Sequence, residues 1–172
     1  MKKLCITFAL FLIIIPITVF AITSDAHTEY LRIHIRADSN DSRDQSVKYM
    51  VKDAVVEFLT PFIASCDTKL KAENMLKDRL SDIENVANGV LFKNGFTYTA
   101  KASIKEENFP TRSYGDFTLE QGFYKALIIE LGSGKGDNWW CVVYPPLCFT
   151  GGGTGVIYKS KILEIIKKFS EK

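Results

Sequence analysis

The chain has 172 residues, 47% of them hydrophobic and 24% charged, a balance that supports a packed domain and excludes a disordered chain. Its formal charge is +2, and without residues 1–21, which hold Lys2 and Lys3 and no acid, 20 basic side chains face 20 acidic ones. That neutrality removes the electrostatic case for binding nucleic acid or an anionic membrane surface.

Lys2 and Lys3 precede an apolar run from Leu4 to Phe20, interrupted by Thr7, Pro16 and Thr18. Small residues follow, in Val19-Phe20-Ala21 and Ser24-Asp25-Ala26. A positive start, an apolar run and a small-x-Ala step make the pattern of an export leader. Residues 1–21 are expected to be a signal peptide cut after Ala21 or Ala26. The 17 residues of the run also reach the lower limit for spanning a bilayer, so an uncleaved signal anchor stays open. Residues 27–150 are then the exported domain, and 151–172 a Gly-rich linker with a C-terminal amphipathic helix.

Tyr30 to Ala37 alternates strictly, with Leu31, Ile33, Ile35 and Ala37 on one side and Arg32, His34 and Arg36 on the other. This predicts a half-buried strand. Asp38-Ser39-Asn40-Asp41 supplies turn formers, and Ser42 with Gln45 reads as a capping box. Val47, Val51, Ala54, Val55, Phe58 and Phe62 then recur at helical spacing, with Pro61 expected to weaken or end the helix. A second helical stretch is predicted from about Thr68 to Phe92. Ser81 with Glu84 suggests a break near Leu80, and Asn94-Gly95 a stop.

From Phe96 to Ile104 the period is two, predicting a strand with one wet face. Phe123–Leu131 and Trp139–Tyr144 are apolar on both alternating sides and read as central strands. The short loop 132–138 between them predicts a hairpin of antiparallel neighbours. Ile157 to Phe169 reads as an amphipathic helix, with Ile162, Leu163, Ile165 and Ile166 on its apolar side. The class is α+β: a mostly antiparallel sheet of about four strands, two or three helices on one face and a short C-terminal helix.

Cys5 lies in the leader, leaving Cys66, Cys141 and Cys148. Pro145-Pro146 restrict the spacer between the last two to turn-compatible angles. In an oxidising compartment a Cys141–Cys148 disulfide is expected, the alternative being two buried thiols. Closing that loop would contribute about 2–3 kcal/mol in the chain-entropy picture. Cys66 reads as a buried small hydrophobe.

Chemistry-bearing patterns are sparse. The Gly132–Gly136 loop has no Lys-Ser/Thr pair after it and is followed by a strand, unlike a phosphate cradle. A cysteine hydrolase would pair Cys141 or Cys148 with His34 or His27. A carboxylate site would draw on Asp38, Asp41, Glu107, Asp116 and Asp137, all read as loop residues, where acids ordinarily make turns. The three cysteines and two histidines have no metal-ligand spacing, and no cofactor or small-molecule substrate is expected. Arg112, Tyr114, Asp116, Trp139 and Trp140 remain, the types that anchor protein interfaces. The two tryptophans fall on opposite strand faces and equally suit core positions.

Leu31-Arg32-Ile33-His34-Ile35-Arg36-Ala37-Asp38-Ser39-Asn40 resembles the opening strand and turn of the stage II sporulation protein R family, which commonly reads Asn-Ser-Asp where this chain has Asp-Ser-Asn. Asp44-Gln45 and Val51–Val55 are similar to its first helix, and Phe109–Asp116 and Gly122–Leu127 to its central motifs. The most specific run is Gly134-Lys135-Gly136-Asp137-Asn138-Trp139-Trp140-Cys141-Val142-Val143-Tyr144-Pro145-Pro146-Leu147-Cys148-Phe149. The resemblance covers residues 31–149. It implies a non-enzymatic signalling domain over 27–150, exported from the forespore into the space between the membranes. The implied partner is a membrane-embedded aspartic protease, stage II sporulation protein GA, which cuts the pro-form of the mother-cell sigma factor E. No catalytic residue is implied. Arg112, Tyr114 and Asp116, with the 134–138 turn and Trp139, are the expected contact with that partner, an internal Arg112–Asp116 pair being the alternative. A secreted cell-wall or peptide hydrolase with a Cys/His or carboxylate site is the other functional class.

Overall fold

The computed structural model of the protein describes residues 29–115, 117–150 and 156–171. The leader, Asp116 and the 151–155 linker lie outside them. In chain order the elements are β1 (Leu31–Arg36), α1 (Ser42–Ile63), α2 (Lys69–Asp78), α3 (Leu80–Lys93), β2 (Ala100–Phe109), β3 (Arg112–Tyr114), β4 (Phe117–Leu119), β5 (Gly122–Leu131), β6 (Asn138–Tyr144) and α4 (Val156–Ser170), with a 3-10 turn at Leu147–Phe149 before α4.

Helix boundaries follow from local hydrogen bonding. The N-cap of α1 is Asp41 rather than Ser42: its carboxylate accepts from Arg43 N at 2.8 Å, while the Gln45 amide turns back to Ser39 O. Aspartate is as good a cap as serine, and one residue earlier it takes the position. Pro61 sits in the last turn and α1 ends at Ile63. The second helical stretch breaks at Arg79 as the sequence suggests, but Glu84 reaches a β2 amide instead of forming a capping box. Gly95, at φ +75°, ends α3 in the left-handed conformation glycine favours.

The sheet order is β2-β5-β1-β6. β1 runs parallel to β5, while β2–β5 and β1–β6 are antiparallel. The α+β class therefore holds, with a mixed sheet. The predicted β5–β6 hairpin does not form, because β1 lies between the two strands. Strands apolar on both faces suit central positions equally well with or without an intervening strand, so their closeness in sequence misleads. β2 starts at Ala100, not Phe96. Phe96 and Tyr98 instead pack against the core edge, where the Tyr98 hydroxyl donates to Asp44 Oδ1 at 2.7 Å.

One sheet face carries Leu31, Ile33, Ile35, Leu127, Ile129, Leu131 and Val143. It packs on Val51, Val55 and Leu59 of α1, Leu76 of α2, Ile83 and Leu91 of α3, and Ile162 and Ile165 of α4. Leu163, expected on the apolar side of α4, is exposed. The opposite face holds a second cluster of Phe109, Tyr124, Ala126, Ile128 and Val142, with Leu119 of the β3–β4 hairpin. β1 is consequently buried on both faces, with Arg32 at 0% and His34 at 1% exposure. The half-buried strand expected from its alternation is corrected: hairpin and aromatic rings cover its polar side.

Candidate functional site

Two turns interlock at one end of the sheet. The chain leaving β1 at Ala37–Asn40 meets the 132–138 connection. Gly136 N donates to Ala37 O at 2.9 Å, Asp137 N to Asn40 Oδ1 at 2.6 Å and Ser133 Oγ to Asp38 O at 2.8 Å, while the Asp38 carboxylate accepts from Ser133 N. A Cβ on Gly136 would collide with the Ser39 carbonyl, and one on Gly132, at φ +56°, with the Asp38 carboxylate. Lys48 on α1, 1% exposed, closes the assembly by donating to Gln45 Oε1 at 2.6 Å and Asp137 O at 3.1 Å. Burial pushes its pKa down. The two most distinctive sequence motifs thus hold each other, and the glycine loop serves packing rather than phosphate.

The polar side of β1 builds a second constellation. The Arg32 guanidinium lies 4.3 Å from the Phe109 ring centre and 4.8 Å from that of Tyr124, cation–π distances both. Its Nη2 donates to the Tyr114 hydroxyl at 2.7 Å, while Nε and Nη1 have no acceptor at hydrogen-bonding geometry among the described residues. Next along the strand, His34 stacks on Trp140 with ring centres 3.6 Å apart. Its Nδ1 is 2.7 Å from Glu107 Oε2, and Glu107 also accepts from Arg36, which reaches Glu130 at 2.9 Å. Glu107 lies in β2 rather than in a loop. It stands opposite Tyr124 of β5 and reaches over that strand to His34 and Arg36 of β1. Burial is the largest influence on His34 and lowers its pKa, against the opposing pull of Glu107 and Asn138.

The expected contact residues are not brought together. Arg112 is exposed on β3, with no hydrogen bond or ion pair among the described residues. Tyr114 is half-buried and bound to Arg32. Asp116 lies outside the described residues, so its pairing with Arg112 is not seen. Trp139 sits opposite Ile35 and packs on the helix side, near Lys52, whereas Trp140 shares the face of Tyr114. Sequence reasoning missed Arg32 as a site residue and named His34, Glu107 and Trp140 only in separate roles, as a hydrolase histidine, a loop carboxylate and an interface or core tryptophan. Their signal was a row of bases in one strand and the Lys105–Glu107 row in another, legible as partners only once the strand order is known.

Cys141 and Cys148 have Cα atoms 6.1 Å apart with their sulfurs at bonding distance, a geometry that suits the expected disulfide. Cys66 is buried, and burial raises its thiol pKa. It borders a cleft of about 340 Å³ between the end of α1 and α4, with Tyr144, Lys161, Glu164 and Phe169. Cys141 pairs with Ile33 while His34 pairs with Trp140. Adjacent residues alternate faces, so the sheet separates Cys141 from His34, while His27 lies outside the described residues. Among the described residues no three His, Cys, Asp or Glu cluster as a metal site, and no helix is long and apolar enough to cross a membrane.

The profile of the family described as stage II sporulation protein R matches residues 27–153. The chain is 32% identical over 143 residues to Stage II sporulation protein R of Bacillus subtilis (strain 168), an alignment covering 83% of this chain and 64% of that protein. The chain thus spans under two thirds of the length of that relative. No solved structure matches. With the opening β1 motif and the 134–149 run locked together as described, the chain belongs to the stage II sporulation protein R family.

Proposed function

We propose that this chain is an exported signal between the two compartments of a sporulating cell. Made in the forespore and carried across its membrane by residues 1–21, the 27–150 domain acts in the intermembrane space. There it binds and activates the membrane-embedded aspartic protease, stage II sporulation protein GA, which then processes the pro-form of sigma factor E. Family membership supports the sporulation role. The observation that carries a binding role is Arg112: a permanently charged fork, exposed on a projecting hairpin and engaged by no described residue. A ligand that activates a protease must bind its active state more tightly than its inactive one, and an exposed arginine on a projecting hairpin is suited to that.

The test mixes the purified chain with the protease in vesicles and follows cleavage of the sigma-factor precursor. Arg112→Ala should reduce activation by about tenfold or more, a loss of one good interfacial contact, at an unchanged melting temperature. A matching loss of stability would assign Arg112 to the fold instead, and normal activation would remove it from the interface.

A further inference from the structure

The geometry points to the outer edge of β2, from Ile104 to Asn108, as the place where the partner protein lends an extended segment and continues the sheet. This deepens the signalling role above and rests on the chain acting by binding a protein.

β2 is an edge strand of 10 residues. Edge strands present unpaired N–H and C=O groups, which proteins usually blunt. The first half of β2 is blunted by α3. Asn88 Oδ1 accepts from Ala100 N at 2.7 Å and Glu84 Oε1 from Ala102 N at 2.8 Å. Those bonds also fix the direction of the ladder. The even-numbered residues point their backbone groups outward, and the odd-numbered ones, Lys101 to Phe109, face β5 in unbroken register. Ile104, Glu106 and Asn108 therefore present outward donors, for which the described residues offer no side-chain acceptor. The sheet's other edge is covered at one end, where Val142 N of β6 donates to Cys148 Sγ at 3.0 Å. Protection of β2 stops at its middle, and β2 leads directly into the hairpin bearing Arg112.

The occupant is a partner segment rather than a second copy. Antiparallel pairing of two β2 edges about Lys105, Glu106 or Glu107 would set that residue directly opposite its own copy, a like-charge contact that is destabilising, offset only in the Glu106 register by Lys105–Glu107 pairs. Pairing about Ile104 would need the Ala102 amide that Glu84 already holds. A fitting segment carries an apolar residue beside half-buried Ile104 and a basic one beside Glu106, which is exposed and, though opposite Lys125 in β5 and within electrostatic reach of Lys69, forms no ion pair among the described residues. Main-chain bonds then supply affinity and these alternate side chains supply specificity.

The experiment expresses variants of the full chain as the sole copy in a sporulating host and counts spores. Glu106→Pro removes one outward N–H and leaves the β5 ladder intact, the position at which an edge strand tolerates proline. It should lower spore yield by at least about tenfold, with the melting temperature and protein level of the parent, while Glu106→Ala, which keeps the backbone donor and loses only the side-chain pairing, should lower it less. Glu106→Lys keeps the backbone donor and repels a basic partner residue, and it should lower yield as well at the parent's melting temperature, the control for the new repulsion with Lys125 and Lys69 inside this chain. Should the proline variant melt early, the lysine variant alone decides. Parental yield from a folded Glu106→Pro or from Glu106→Lys overturns the proposal. So does a parent chain that sediments as a dimer and a proline variant that sediments as a monomer, since the edge would then pair with itself. Dependence on residue 106 in cells, without any response of the purified protease, would retain the edge and reject the protease as its target.

Discussion

The two faces of the sheet are built on opposite principles. On the helix side, Leu31, Ile33 and Ile35 of β1 join Leu127 and Ile129 in a continuous apolar core under four helices. On the hairpin side, the intervening residues of the same strand are Arg32, His34 and Arg36, held by rings and carboxylates under two three-residue strands. One strand thus serves a face where area removed from water dominates and a face where charges must find partners. The first kind of contact is non-directional and additive in area. The second is nearly neutral in energy when satisfied and is damaging when one member is removed. Stability should therefore reside on the helix face, leaving the hairpin face free to be shaped by what it meets.

The largest expected effect breaks the helix face. Leu127 is fully buried against the helices, and Leu127→Ala should destabilise the chain by about 2–5 kcal/mol through lost transfer energy and a residual cavity. Urea unfolding measures it directly. A loss under about 1 kcal/mol would mean that the helices slide in to fill the space and that the helix face is not the dominant support.

A smaller effect is expected at Arg32, equally buried but on the other face. Its guanidinium has the Tyr114 hydroxyl and the rings of Phe109 and Tyr124, yet no acceptor at Nε or Nη1. Arg32→Met keeps an unbranched apolar stem among the same rings and removes the buried charge. Stability should change by no more than about 1 kcal/mol in either direction, the cation–π and hydrogen-bond losses offsetting the regained desolvation. A destabilisation near that of Leu127→Ala would show that both faces are core in the same sense.

This contrast also explains what could be read in the sequence. Apolar periodicity located every described helix, β5, β6 and the first half of β2, because the 3.6 and 2.0 periods report one-sided burial directly. It mistook β1 for a half-exposed strand because Arg32 and His34 are buried by rings distant in sequence, Phe109, Tyr124 and Trp140. It paired β5 with β6 because strand order is a long-range property: β1, nearly a hundred residues earlier, inserts between them. Arg112 and Tyr114 were singled out as interface types, and the structure divides them, one exposed on the hairpin and the other turned in to bind Arg32. The short β3–β4 hairpin had no periodicity long enough to see.

The smallest effect sharpens the comparison by pH. His34 is 1% exposed, stacked on Trp140 and 2.7 Å from Glu107. Burial lowers its pKa from the ordinary 6.5, Arg36 acts in the same direction, and Glu107 and Asn138 oppose without prevailing. The folded chain thus holds a neutral ring whose Nδ1–H donates to Glu107. As pH falls through about 6.5 the unfolded chain takes up a proton that the folded chain refuses until lower pH. The unfolded state then binds more protons, so folding stability falls with falling pH over that interval. His34→Gln keeps a donor toward Glu107 and does not titrate. Between about pH 7.5 and 5.5, spanning the ordinary histidine pKa, the parent should lose more melting temperature than this variant. The shared carboxylates cancel in the difference, and His27 is common to both chains. If the parent instead gains on the variant as the solution is acidified, the Glu107 carboxylate outweighs burial. The hairpin face would then hold a charged imidazolium, and its contrast with the helix face would be one of ion pairing rather than of aromatic packing.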